Sequence, residues 1–469
     1  MSLQEAADVA LRETSRTFYI PIVRLPSCLR AAVTSAYLCF RAIDEIEDHP
    51  TLTREGKANL LRGISSTCKA RDPLELDLLL RRAKALPDVT RRICEWISLA
   101  PKDVADGLWQ ANAQMSQSMA EWVNLGWQFG TRVDLDHYTY SVAGAVGVFL
   151  SDLWEWFDGT QCDRSKAISF GRGLQAVNIL RNRDEDQARG VNFFPSGWNR
   201  KDVSAYAKEN LSVADEYLAA LPCGPAKEFC RLPLVLAHAT LAAMDRGENK
   251  LSRDIVLTLV GTEDCAPSEK PKVPFQNSHR QFQMSEIVVV VDEQDHIIGV
   301  EEKMTAHRLG IPHRAFSIFI LNSRAELLLQ KRAKTKYHSA GRWSNTCCGH
   351  PRFSESIHDA SRRRLKEEMG IDSPIAELFA FRYRAELENG LIENEYDHVL
   401  VGQFDGLPQP NPCEVEAWKW MSLRAVQSDV LEHPQEYTCW FKTAIDTLCA
   451  KLGTQAIDPP DTTSSWRET

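Results

Sequence analysis

Between Asn345 and Glu395 the chain gathers groups that can move protons and hold cations. The run Asn345-Thr346-Cys347-Cys348-Gly349-His350-Pro351 sets a thiol two residues before an imidazole, and Glu393-Asn394-Glu395 carries two carboxylates two residues apart. Side chains at that spacing on a strand share a face, so both carboxylates can reach one centre. His307 and His313 supply two more imidazoles ahead of an apolar run. Three imidazoles with two carboxylates suit zinc or manganese. A lone histidine would read as a surface residue, whereas five ligand-type side chains in tight local patterns do not.

A second, unrelated constellation lies in the first half. In Arg41-Ala42-Ile43-Asp44-Glu45-Ile46-Glu47-Asp48 the carboxylates of Asp44, Glu47 and Asp48 fall at i, i+3 and i+4 and stack on one helix face. Like charges so placed repel, and a cation between them removes the conflict. Gln175, Asn178, Asn182, Glu185 and Asp186 repeat the helical spacing further on. Either motif alone is as readily a solvated acidic face. Two of them, among apolar helices, point to magnesium ions that grip a diphosphate across a helical cavity.

Two scaffolds must position these groups. A chain of 469 residues exceeds one ordinary hydrophobic core, and two domains are expected. From Gln4 to about Val260 apolar residues recur at helical spacing, as in Leu29-Ala32-Val33-Ala36-Tyr37-Phe40, which predicts an all-helical domain over 1–260. Residues 261–283, with Pro267, Pro271 and Pro274, read as a linker. From 284 to 453 the texture changes. Ile287–Val291, Ile297–Val300, Ala315–Asn322 and Leu327–Gln330 predict strands, and Ser356–Met369 a helix, giving a mixed α/β domain. Residues 454–469, polar with Pro459-Pro460, are expected to be a disordered tail. No internal repeat relates the halves.

The totals restrict function. A net charge of −9 argues against a nucleic-acid partner, and 13 cysteines without a spacing framework, with no signal segment at Met1, predict free thiols and a cytoplasmic protein. No apolar run reaches membrane-spanning length: Asp152 and Glu155 interrupt Ser141–Phe157, so a buried helix rather than a transmembrane segment is expected there. Gly144-Ala145-Val146-Gly147 suggests close helix packing, Trp154/Trp156 and Trp418/Trp420 core aromatics, and Asp152 a helix-surface residue. Cys347 has no assignable role.

The segment from Gly349 through Glu355 to Arg363-Arg364-Leu365-Lys366-Glu367-Glu368-Met369-Gly370 is Nudix-like, with Arg364 where a hydrolase of that superfamily would have glutamate. That exchange removes a metal ligand and adds a phosphate-binding cation, which argues against hydrolysis. Glu286–Leu452 resembles the type I isopentenyl diphosphate isomerases of the Nudix superfamily. The resemblance implies Cys348 as catalytic thiol, Glu395 as opposing carboxylate and Tyr383 as an aid to proton delivery. It implies His307, His313, His350, Glu393 and Glu395 around zinc or manganese, and Glu368 on a diphosphate-bound magnesium. Lys303, Arg332, Lys336 and Arg364 would hold the diphosphate, and Trp440 would face a carbocation.

Leu11–Val260 resembles the squalene/phytoene synthase family of head-to-head prenyltransferases, an isoprenoid synthase-type helical bundle. Arg16, in Ser15-Arg16-Thr17-Phe18, and Arg41 match its diphosphate-binding cations, and Asp44, Glu47 and Asp48 its first acidic motif. Tyr138 matches its active-site tyrosine. Gln175, Asn178, Arg181, Glu185 and Asp186 match the second motif, in which Asn182 replaces the usual first aspartate. The two resemblances together imply a multidomain, bifunctional isoprenoid enzyme. Isopentenyl and dimethylallyl diphosphate and a longer allylic diphosphate would be its substrates, and magnesium would serve both domains. The acceptor is open between a second prenyl diphosphate, a non-isoprenoid acceptor, and short-chain condensation or cyclisation. A non-catalytic helical partner is a further reading, and use of NADPH is left open because no nicotinamide motif is legible.

Overall fold

The computed structural model describes residues 2–15, 17–83, 85–248, 282–353 and 355–454. The chain divides into two compact units, Met1–Ser285 and Glu286–Thr469. The expected linker lies outside the described residues except for Phe282 and Gln283, and so does the expected tail except for Thr454.

In the first unit every described element is helical. Its longer helices include Ser27–Glu47, Lys102–Leu125, Ala145–Asp158, Arg164–Ala188, Arg200–Ala220 and Pro225–Asp245. The helix Ser27–Glu47 buries the stripe Leu29, Val33, Ala36, Phe40 and Ile43, which recurs at three to four residues as the sequence predicts. Each of these side chains larger than alanine, once buried, contributes about 1.5–3 kcal/mol. The stripe leaves Asp44 at the end of the helix and Asp48 as its C-cap. Helices Ala145–Asp158 and Arg164–Ala188 approach closely where glycine permits. A Cβ on Gly147 would stand 2.3 Å from the Ala167 carbonyl oxygen, and one on Gly171 2.3 Å from that of Ala143. The glycine run is therefore a packing device. Tyr138, on helix Arg132–Thr139, is followed by a π-turn at Tyr140–Gly144, a geometry often found beside functional sites.

One expectation is corrected here. Asp152 is buried rather than on a helix surface, because Arg164 pairs with it at 3.1 Å and the Ser285 backbone N–H and hydroxyl donate to it at 2.9 and 2.6 Å. Trp154 is a core residue, as expected.

The second unit is built on one mixed sheet. Its strands are β1 (Ile287–Val291), β2 (Ile297–Glu302), β3 (His313–Leu321), β4 (Glu326–Arg332), β5 (Trp343–Ser344), β6 (Cys347–Gly349), β7 (Ile375–Glu386), β8 (Ile392–Gln403) and β9 (Val415–Ser422). The path β2-β1-β3-β4-β5 carries β6 and β8 on β3, β7 on β8 and β9 on β4. Among these strands β3 and β8 pair parallel, with His313 opposite Glu395, and β7 sets Tyr383 opposite the same Glu395. Strand β6 sets Cys348 opposite Ser317 of β3.

Three sequence-distant segments thus meet at one end of β3. The helix Ile357–Met369 starts at Ser356, whose hydroxyl accepts from the Asp359 N–H, and stops at Gly370 in the left-handed region (φ 66°). Glycine suits that conformation, and a Cβ there would also stand 2.8 Å from the Gln409 backbone.

Candidate active sites

In the second unit four imidazoles and two carboxylates converge. His307, His313, His350 and Glu395 offer ligand atoms within 4.8 Å of one another, and His307, His338 and Glu393 form an overlapping set. The backbone fixes two of the rings. His307 Nδ1 lies 2.7 Å from the Lys303 carbonyl, and His313 Nδ1 2.8 Å from that of Ile311. A carbonyl only accepts, so each Nδ1 carries a hydrogen, which leaves Nε2 as the atom each ring can offer to a metal.

The consequence is electrostatic conflict. His307 Nε2 faces Glu393 Oε2 at 3.3 Å, both atoms are buried, and no hydrogen bond joins them. His313 Nε2 stands 3.2 Å from His350 Nε2, which is 2.9 Å from Glu395 Oε1. Lone pairs converging in a buried site are the donor set of a cation, and imidazole with carboxylate suits zinc or manganese. Burial pushes His350 down to about 3, against the pull of Glu395. Burial and the charge of Glu395 push Glu393 well above the ordinary carboxylate range. For Glu395 burial acts upward too, but the neighbouring His313 and His350 imidazoles outweigh it and hold it well below that range. The residues present therefore fit a divalent ion.

Around this cluster stand groups that can handle a proton and an anion. Tyr383 donates to Glu395 Oε2 at 2.6 Å. The half-buried Cys348 thiol is pushed up to about 12 by desolvation, partly offset by Arg332, whose Nη1 lies 4.0 Å from Sγ. The Arg332 guanidinium sits over the Trp440 ring at 5.3 Å, and Asn345 fixes that ring by accepting from its Nε1 at 3.0 Å.

The other expected cations are gathered but paired. Lys303 meets Glu286 at 2.5 Å, Lys336 meets Glu414, and Arg364 meets Glu367 at 2.8 Å together with Glu368 and Glu414. Glu368 is buried against Arg364 and Gln330, whose amide donates to it at 3.1 Å, and is not among the histidine-cluster ligands. Cys347 is a core residue.

In the first unit the acidic motifs also converge. Arg41 pairs with Asp44 and Glu45. Glu47 is buried and accepts from Trp127 Nε1 at 2.6 Å and from the Tyr138 hydroxyl at 3.4 Å. Burial, with Asp44 and Asp48 nearby, pushes Glu47 up to about 8. Burial pushes Asp44 up to about 6, despite Arg41. Arg189 joins the motifs, binding Asp48 and, at 2.6 Å, Asp186. On the second acidic helix Arg181 donates to Asn178 at 2.6 Å and Asn182 at 3.2 Å, and the Asn182 amide donates to Asn178 at 3.2 Å. Gln175 is half-buried on the same helix, Glu185 is exposed, and Arg16 lies outside the described residues.

Sequence reasoning missed four residues at these sites. Asp397 is a third buried carboxylate on the face of β8 that carries Glu393 and Glu395, and it accepts from the Ser317 hydroxyl at 2.8 Å. Its alternation with Glu393 and Glu395 was the available signal. Arg189, three residues beyond Asp186, had a helical-spacing signal. His338 and Trp127 had none, because chain reversals bring them in.

Comparison with known proteins agrees with this division. Residues 11–208 match the family model described as squalene/phytoene synthase, and residues 311–441 match the NUDIX domain model. The class so defined is a Nudix-domain enzyme fused to a prenyltransferase-like helical domain. An isopentenyl-diphosphate Delta-isomerase 1 of Aromatoleum aromaticum is 56% identical over 167 residues, covering 36% of this chain and 94% of that protein. An isopentenyl-diphosphate Delta-isomerase 2 of Photorhabdus laumondii is 50% identical over 165 residues, covering 35% and 93%. Through this second unit the chain belongs to the isopentenyl-diphosphate Delta-isomerase family. Among solved structures, a ligand complex of TcSQS has a TM-score of 0.46 at 23% identity, over 55% of this chain and 85% of that one.

Proposed function

We propose that the second unit interconverts isopentenyl and dimethylallyl diphosphate. The observation that carries this reading is the convergence of Tyr383, Glu395 and the histidine cluster beside Cys348, with the Arg332–Trp440 stack next to the thiol. Moving the double bond needs one group to protonate an unactivated alkene and another to remove a different proton. Cys348 on one side and Glu395 with Tyr383 on the other supply them. The intermediate is a tertiary carbocation, which the Trp440 indole stabilises by about 0.5–2 kcal/mol. Lys303, Arg332, Lys336 and Arg364 bind the diphosphate, all but Arg332 exchanging present carboxylate partners for it, and Glu368 holds its magnesium. His307, His313, His350, Glu393 and Glu395 would hold zinc or manganese, which when bound supplies fixed positive charge beside Glu395.

For the first unit the proposal is ionisation of an allylic prenyl diphosphate and its head-to-head joining to a second one. Asp44, Glu47, Asp48, Asn178, Asn182, Glu185 and Asp186 would bind magnesium, Arg16, Arg41, Gln175 and Arg181 the diphosphate, and Tyr138 would act at the reacting carbons. Asn182 supports a second reading. Its uncharged amide bonds Asn178, and Arg181 donates to both, which lowers the negative charge facing the metal and suits a single diphosphate with a different acceptor. We place the protein in the cytoplasm, in keeping with its free thiols; among the described residues no helix is long and apolar enough to cross a membrane.

The test is a product mass spectrum. Labelled isopentenyl diphosphate would be supplied with magnesium, with and without farnesyl or geranylgeranyl diphosphate and NADPH, for the full chain, Cys348→Ala, and Asp44→Ala with Asp48→Ala. Loss of isomerisation by about 10²–10⁴-fold in Cys348→Ala is expected. A larger hydrocarbon, alcohol or diphosphate should disappear only in the aspartate variant. Unchanged products in the aspartate variant would make the helical unit a non-catalytic partner.

A further inference from the structure

The six ligand-type side chains of the second unit form two overlapping sets that share His307. Two sets suggest two ions, and the hydrogen bonding decides against it. His307 has one lone pair to give, since its Nδ1–H is spent on the Lys303 carbonyl at 2.7 Å. That single Nε2 cannot ligate two ions, and in the smaller set it leaves only His338 and Glu393. The centre is therefore built for one ion, and His338 needs another explanation.

His338 has its Nε2 3.3 Å from Glu393 Oε1, while the other oxygen of the same carboxylate faces His307 at 3.3 Å. As a metal ligand Glu393 is ionised and only accepts, so in the metal-bound centre the hydrogen at this 3.3 Å contact belongs on His338 Nε2. A nitrogen that donates has no lone pair for a metal. The ring is held on several sides: it lies edge-on to Trp440 at 5.9 Å and to Tyr337 at 4.3 Å, and its own backbone carbonyl accepts from Arg332 Nη2 at 3.2 Å. It is buried, as is Glu393.

We propose that His338 is a positioning residue that clamps one oxygen of Glu393, leaving the other aimed at a single transition-metal ion. The inference rests on the isomerase reading only for the identity of the centre. The same contacts run from Glu393 through His338 to Arg332 and Trp440, so the orientation of the carboxylate is tied to the diphosphate-binding cation and the carbocation-facing indole. Partners of this kind, once removed, typically cost 10–100-fold in metal affinity.

The experiment is cobalt(II) titration of the full chain, stripped of metal, for the parent, His338→Ala and His338→Gln, following the visible ligand-field bands against a competing chelator. Circular dichroism accompanies each variant. One high-affinity cobalt per chain is expected in the parent. In His338→Ala affinity should fall by about 10–100-fold with the band positions unchanged, because the inner ligands stay the same. In His338→Gln the amide N–H should restore part of the affinity.

Two tight ions per chain, altered bands in His338→Ala, or unchanged affinity in both variants would each overturn the proposal, as would a parent that binds no cobalt. If His338→Ala does not fold, the glutamine variant decides: affinity nearer the parent with parent-like bands supports the clamp, and shifted bands overturn it. None of these readouts needs substrate, so absent isomerisation with the predicted cobalt behaviour would overturn the activity and leave the clamp standing.

Discussion

Glu47 shows how much a single residue's behaviour depends on its surroundings. Its place in the acidic motif was legible from i, i+3 and i+4 spacing, but its protonation was not. Trp127 and Tyr138, 80 and 91 residues away, donate to it and help bury it, and burial with two neighbouring aspartates pushes it up to about 8. The ordinary value in an unfolded chain is 4.5, so the folded state holds the proton more tightly. In the metal-free protein the stabilisation this provides is complete below about 4.5 and is lost as pH rises through about 8. Magnesium needs the ionised carboxylate and must displace that proton. With the histidine centre preloaded, the magnesium affinity of the full chain should fall by roughly tenfold per pH unit below the Glu47 value. Glu47→Gln should bind more weakly and flatten that profile. Calorimetric titration between pH 6.5 and 8.5 measures it, and a flat parent profile would remove Glu47 from the magnesium set.

At the scale of elements, periodicity identified the helices and the β-branched runs the first strands, because burial of a face imposes its own spacing. Pairing was not legible. Nothing local in His313 or Glu395 says that β3 and β8 lie parallel with those two residues opposite, yet that register builds the histidine–carboxylate centre. Helix contacts were legible only where glycine marked them. At Gly171, alanine would gain about 1 kcal/mol of helix propensity. Its methyl would meet the Ala143 carbonyl oxygen at 2.3 Å, and backbone cannot step aside as a side chain can. Overpacking of this kind costs about 1–3 kcal/mol, so Gly171→Ala should be net destabilising by on the order of 1 kcal/mol. Gly63→Ala is the contrast, since its Cβ meets only the mobile end of Leu79 at 2.8 Å and should be near neutral. Urea unfolding of the two variants compares them directly. Equal stability would mean that the two helices can separate at little cost.

For the whole molecule, carbon count constrains how the two proposed activities relate. The isomerase product has five carbons, whereas head-to-head condensation of the squalene or phytoene type starts from fifteen or twenty. Each elongation adds one five-carbon unit, so at least two elongations separate the reactions. The two matched families, squalene/phytoene synthase and NUDIX, account for residues 11–208 and 311–441, and neither resemblance supplies a chain-elongating activity. The two proposed activities therefore leave a chain-elongating step between them. Labelled isopentenyl diphosphate given to the full chain alone should yield labelled dimethylallyl diphosphate and nothing larger. Adding a separate chain-elongating prenyl diphosphate synthase should carry the label into a condensed product, and Cys348→Ala should stop that transfer unless dimethylallyl diphosphate is also supplied. A large labelled product from the chain alone would show that the helical unit accepts five-carbon diphosphates directly. The neutral amides of Asn178 and Asn182 would then mark a donor site for one short diphosphate instead of a tolerated variation of the two-diphosphate motif.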